Sequence, residues 1–295
     1  MCATLLVATA LPATAQSRSG NEWLALAKGG FAVPMGETAA GLLIEMQPLL
    51  SSADPKLRDE VAFAAAEKWI LRERAIEPDD LRRVMRLWLT GLDAGLGTAG
   101  DDRIYGRTFS ALCLSLVAAR DVATPFLAGE EARELLNRLL DYLARERDLR
   151  GFDPVRGWIH AVAHTADGVK FLARGAHWTP SDLPRLLTSV DGVVDRHAAV
   201  FAWGEAERIA AALHAAVRRP DGDTAAFEAW LTRWTARHTA LWARGPLIEP
   251  IPFAAVENSK QIVRALATLL AMESAPSPAA ESARRSALAA LARMR

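Results

Sequence analysis

Apolar residues recur along this chain at spacings of three and four from Glu37 almost to its end, and no stretch alternates long enough to suggest a sheet. That period belongs to the helix, where side chains at i, i+3 and i+4 share a face. The pattern predicts helices over Glu37–Leu50, Pro55–Glu73, Pro78–Ala94, Arg103–Arg120, Gly129–Arg147, Pro154–Arg174, Ser181–Val194, Ala198–Arg218, Thr224–Ala243, Ala255–Met272 and Ala279–Arg295. The punctuation agrees. Asp54–Pro55, Glu77–Pro78 and Asp153–Pro154 each set an acid before a first-turn proline. Gly95, Gly97 and Gly100 mark a loop, as do Pro220–Asp221–Gly222–Asp223 and Gly245–Pro246. The fold class expected is therefore all-α. About 40 to 47 residues per antiparallel helix pair suggest HEAT-like stacking into an α-solenoid, with an irregular helical bundle as the alternative.

No linker divides the chain internally, so 21–273 reads as a single helical domain. A Pro/Ser linker and an Ala/Arg-rich helix follow over 274–295, and that helix either closes the stack or frays. The 35 basic and 35 acidic residues balance, which gives no reason to expect nucleic acid as a partner. Cys2 and Cys113 are too few for a disulfide framework or a cysteine-ligated zinc site. Residues 1–20 read as a signal peptide: Ala3 to Ala13 is apolar, and Ala13–Thr14–Ala15 is a cleavage pattern. The location this implies is periplasmic or secreted. The cytoplasm is the alternative, because no positive charge precedes Ala15. No later apolar run reaches the about 18 residues of a transmembrane segment.

The run from Gly151 to Asp167 concentrates the polar chemistry. Read as one helix, it places His160, His164 and Asp167 in a single polar stripe on an otherwise apolar surface. Buried polar groups need partners, whether a metal, a substrate or other protein groups. Two histidines at i, i+4 are one way to offer imidazoles to a divalent metal, yet Ala161–Val162–Ala163 lacks the glutamate of an H-E-x-x-H site. The stripe would also span about 10.5 Å at about 1.5 Å per residue, so one helix cannot gather all three on one ion. A hydrogen-bond network holding helices in register, with Asp167 pairing an arginine, is the structural alternative.

Other candidates surround this run. Arg107 is a suitable bidentate partner for Asp167 or Glu205. Asp148, Arg150 and Asp153 are possible counter-charges, with Asp153 also expected to cap a helix beginning at Pro154. Glu205 and Arg208 are three apart in an apolar setting, where a charged pair is expected to be buried. Trp158, Trp178, Trp203, Trp230, Trp234 and Trp242 read first as packing residues, with substrate stacking the alternative. No nucleotide or flavin motif, nucleophile elbow or EF-hand loop is present, which leaves the cofactor open, a divalent metal being one possibility. Two readings of function follow. One is a binding or scaffold module for a small molecule or protein. The other is a hydrolytic enzyme using His160 or His164 as base, Asp167 or Glu205 to orient it, and Arg107 or Arg208 to neutralise charge.

The clusters together resemble the bacterial domain-of-unknown-function family 2785. The resemblance is carried by Phe31–Ala32–Val33–Pro34, Asp54 with Leu57–Arg58–Asp59, Arg107–Thr108–Phe109–Ser110–Ala111–Leu112 and Asp148–Leu149–Arg150–Gly151. The most specific element is Gly157–Trp158–Ile159–His160–Ala161–Val162–Ala163–His164–Thr165–Ala166–Asp167, followed by Gly204–Glu205–Ala206–Glu207–Arg208. The resemblance implies an all-helical fold over roughly Trp23 to Met272 and one network or site for the polar clusters; it implies no activity. Gly168 stands where it leads one to expect leucine, a departure expected to loosen packing beyond Asp167.

Overall fold

A computed structural model describes residues 18–222, 224–245 and 249–294. The expected leader, with its cleavage pattern at Ala13–Ala15, lies outside them. The described chain is all-α apart from one short hairpin. Helix α1, Gly20–Lys28, opens on a capping box that the apolar pattern alone did not reveal: Ser19 Oγ accepts from Glu22 N, and the Glu22 carboxylate accepts from Ser19 N. Helix α2 is Ala39–Glu45, and a 3₁₀ turn follows over Gln47–Ser51. The expected helix from Pro55 to Glu73 is continuous but uneven, with wide π segments at Lys56–Phe63 and Lys68–Arg72 around α3, Ala64–Glu67.

Helix α4, Pro78–Gly91, begins with proline in its first turn and with Asp79 and Asp80 at the positive end of the helix dipole. Its stripe of Leu81, Val84, Met85, Trp88 and Leu89 is buried. Each such aliphatic side chain contributes about 1.5–3 kcal/mol on burial, so Val84→Asp would undo this contact. Next come α5 (Arg103–Ala123), α6 (Gly129–Arg145), α7 (Ala161–Arg174) and α8 (Asp182–Arg196). The chain finishes with α9 (Glu205–Val217), α10 (Thr224–Trp242), α11 (Pro250–Ala271) and α12 (Pro278–Arg293). Helix α5 packs on α7, α7 on α9 and α9 on α11, while α6 meets α8, α8 meets α10 and α10 meets α12. The last helix is part of the fold rather than a frayed tail: Ala280, Ala283, Ala287 and Ala290 are buried where it lies on α10 and α11.

Of the helix starts that differ from expectation, two matter for the polar residues. The segment expected to begin a helix at Pro154 instead forms an antiparallel hairpin, β1 (Phe152–Asp153) against β2 (Gly157–Trp158). Asp153 caps no helix; its carboxylate accepts from Val155 N at 2.9 Å and Arg156 N at 2.8 Å, holding the hairpin turn. The helix expected from Ala198 starts seven residues later, at Glu205, after Gly204 turns the chain with φ 89°. At Gly168 the departure from leucine tightens packing instead of loosening it. A Cβ there would come within 2.7 Å of Leu139 Cδ1, so glycine lets α6 and α7 approach.

Candidate functional site

The hairpin hangs on one buried arginine. Arg58, on the first π segment, is fully buried and donates to Ser52 O at 2.9 Å and to Arg156 O at 2.7 Å. Its guanidinium lies 4.3 Å from the Tyr105 ring centre and 4.7 Å from that of Phe109, and it pairs with Asp59. Its role is readable only from the fold, since Leu57–Arg58–Asp59 resembles an ordinary helix opening.

His160 is not on the helix that carries His164 and Asp167. It sits before α7 with φ 54°, a left-handed conformation rare for a side chain with a Cβ. The backbone N–H groups of Ile159 and His160 both donate to Gly151 O, at 2.9 and 3.1 Å, which fastens this bend to the start of the hairpin. The His160 ring lies against Trp158 (centroids 4.4 Å) and edge-on to His164 (5.6 Å). Its Nε2 is buried and has no hydrogen-bond partner. Burial holds its pKa below the ordinary value, against the opposing pull of the Glu205 carboxylate and the Trp203 backbone.

His164 is sealed. Thr108, in the second turn of α5, donates its single hydroxyl proton to Ile159 O, so His164 Nδ1 is the donor in its contacts with Thr108 Oγ1 (2.9 Å) and Thr108 O (3.2 Å). Burial, reinforced by the neighbouring His160, pushes the His164 pKa down to about 3 and keeps the ring neutral near pH 7. Asp167 receives Lys170 Nζ at 2.7 Å and is also paired with Arg208. The expected arginine partner of Asp167 is thus Arg208, whose exposed guanidinium reaches across from α9.

Arg107 pairs with neither Asp167 nor Glu205. It makes a bidentate, fully buried pair with Glu146, Nε to Oε2 at 2.7 Å and Nη2 to Oε1 at 3.1 Å. Arg107 also donates to Ala94 O, and Glu146 accepts from the N–H groups of Arg147 and Asp148, so the pair pins two loops. Asp148 is buried and satisfied by Arg150 Nε at 2.8 Å and Gly100 N at 2.9 Å. The sequence clusters therefore gather into adjoining knots rather than one site. Among the described residues no three His, Cys, Asp or Glu side chains could hold a metal ion. The expected set of His160, His164 and Asp167 does not form such a group: the backbone bend takes His160 off the stripe, and Asp167 is held by Lys170 and Arg208.

Glu205 is the exception among the acids. It opens α9 and is 2% exposed. One oxygen accepts from Trp203 N at 2.8 Å, and no cation pairs with it among the described residues. It lines a groove of about 440 Å³ between the hairpin and the loop preceding α9, together with Arg147, Arg150, Phe152, Arg196 and Trp203. Phe152, Trp158 and Trp203 form an aromatic cluster there, with Phe152 4.8 Å from Trp158 and 5.2 Å from Trp203 between centroids. Trp158 and Trp203 remain 42% and 46% exposed. Gly151 makes the arrangement possible: a Cβ at this position would fall 2.4 Å from Trp203 Cδ1 and 2.6 Å from Glu205 Oε1. Arg147 and Arg196 carry no sequence signal for this groove, since the 147–152 and 196–205 segments that line it lie some fifty residues apart.

The profile of a family described as "protein of unknown function (DUF2785)" matches residues 92–268, and the chain belongs to that family. No curated protein and no solved structure matches it.

Proposed function

We propose that this DUF2785 protein is a binding module whose ligand lies in the groove beside the hairpin, with the buried polar knots serving to position its walls. One observation carries the reading: His164, Asp167, Arg107, Asp148 and Arg150 are engaged by protein partners, whereas Trp203 stands half exposed in the groove wall, with the half-exposed Trp158 packed beside it. Exposed indole faces beside a concavity of this volume favour a ligand with an apolar or ring face. The succession of α5, α7, α9 and α11 beside that of α6, α8, α10 and α12 supports a HEAT-like solenoid as the scaffold. The apolar leader and its cleavage pattern support a periplasmic or secreted location. N-terminal sequencing of protein from the periplasmic fraction tests this, and an intact Met1 overturns it.

A metabolite panel screened by thermal shift tests the binding reading. Ligands that raise Tm for the native chain should lose that effect in Trp203→Ala, whose side chain is too exposed for the change to unfold the protein. Shifts that survive in the variant would place binding elsewhere. A second, hydrolytic reading is favoured by the unpartnered Nε2 of His160 near the uncompensated Glu205 carboxylate, which would orient that ring as a general base. Turnover of a groove ligand that disappears in His160→Gln while binding persists would establish it, and binding without turnover by the native chain would remove it.

A further inference from the structure

The charges lining the groove are not balanced by their own neighbours. Arg147 is exposed and forms no ion pair among the described residues. Arg196, at the end of α8, donates Nη2 to Leu143 O at 2.7 Å, while its buried Nε has no partner. The adjacent acid, Asp195, is taken by Arg237. Arg147 and Arg196 line the same groove, and the charge of Arg147, after burial, holds the Arg196 pKa below its ordinary value. Arg150, by contrast, is already tied to Asp148. The remaining charge in the lining is Glu205, with one oxygen on Trp203 N and the other without a hydrogen bond among the described residues.

Two guanidiniums without a carboxylate invite an anion, which Arg147 can grip with parallel N–H donors and Arg196 with the N–H groups not given to Leu143 O, and which relieves their mutual repulsion. A bare anion would be repelled by Glu205, whose carboxylate can only accept hydrogen bonds. The same ligand must therefore bring a donor, and Trp203 offers its carbon skeleton a flat apolar face. We propose that the groove takes a small molecule bearing an anionic group together with a hydroxyl or ammonium donor: the anionic end between Arg147 and Arg196, the donor on the free oxygen of Glu205, and the skeleton against Trp203. The proposal rests on the reading of this groove as the ligand site.

Calorimetric titration of the full chain tests it with four probes. D-glucuronate carries a carboxylate with hydroxyl donors and L-glutamine, a zwitterion, a carboxylate with an ammonium donor; acetate has the carboxylate without a donor, and D-glucose the donors without the carboxylate. At least one of the first two should saturate with a Kd below about 1 mM, and acetate and glucose should each bind about tenfold more weakly or worse. Which of the two binds separates the hydroxyl source from the ammonium source. Arg147→Gln, an exposed change that leaves the core untouched, should weaken binding about tenfold, and Glu205→Gln should weaken it by a similar factor. Raising the salt concentration should reduce affinity further, as for any partly exposed charge contact. Acetate or glucose binding as tightly as the donor-bearing carboxylates, or an Arg147→Gln variant indistinguishable from the native chain, overturns the proposal. So does the absence of saturation by either donor-bearing carboxylate at about 10 mM. None of these results touches the groove reading, which stands or falls on the Trp203→Ala thermal-shift screen.

Discussion

Glu146 and Glu205 are both glutamates with almost no exposure, and their surroundings are opposite. Glu146 meets a buried guanidinium on both oxygens and two backbone N–H groups besides. Glu205 has one backbone N–H and no cation. Burying an ionised carboxylate is costly unless charge and hydrogen bonds compensate it. The complete set around Glu146 is architecture; the incomplete set around Glu205 lies at the wall of a groove. His164 and His160 repeat the contrast, one held by Thr108 and the other with a buried nitrogen left over.

The contrast breaks if the two glutamates respond alike to substitution. Glu146→Gln leaves Arg107 without its countercharge in the interior and should cost about 3–5 kcal/mol in urea unfolding, the range for breaking a buried pair from one side. A loss below about 1 kcal/mol would mean that the pair is solvated in the folded protein. The histidine contrast is sharpened by pH. Because the folded-state pKa of His164 is pushed down to about 3 from an ordinary 6.5, the unfolded chain takes up a proton there that the folded one refuses. The stability associated with its neutral ring is complete above pH 6.5 and falls by about 1.4 kcal/mol per pH unit below it, toward pH 3. His160, shifted in the same direction, adds to the fall. Between pH 6.5 and 5, before most carboxylates titrate, His164→Gln should flatten this slope; an unchanged slope would show that His164 is protonated in the fold.

Smaller effects come next. Thr108→Val keeps the shape but takes the donor from Ile159 O and leaves His164 Nδ1 only the backbone O of residue 108, an expected loss of about 1–3 kcal/mol by the same unfolding measurement. Glu205→Gln should change stability by less than about 1 kcal/mol, toward stabilisation, since an amide still accepts from Trp203 N without the cost of a buried charge. A destabilisation as large as that of Glu146→Gln would mean that Glu205 has a cationic partner after all, and the groove would lose its open acceptor.

Periodicity made most of the helices legible, because a stripe such as Leu81, Val84, Met85, Trp88 and Leu89 is written locally and buried as written. It failed where local chemistry permits two outcomes. Asp153–Pro154 is as good a start for a hairpin turn as for a helix. The choice fell to Gly157, whose φ of 79° closes the turn, and to Arg58, which holds Arg156 O from ninety-eight residues away. That choice removed His160 from the stripe and with it the single-helix metal set. Among the candidate site residues, Asp167 with Arg208 and Asp148 with Arg150 are pairings of residues chosen from the sequence, while the partner of Arg107 is a glutamate that carried no motif.

By itself, then, the sequence determined an all-helical chain with its polar residues concentrated around Gly151–Asp167 and Glu205–Arg208, because helix period and capping act over a few residues. Only the tertiary structure decided which of those residues are spent on each other and which are left facing a groove. The physical reason lies in the bends at His160 and Gly204, left-handed conformations that the local sequence does not dictate at a histidine. Contacts across fifty residues or more hold these segments in place, and they bring Arg147, Arg196, Trp203 and Glu205 to one surface.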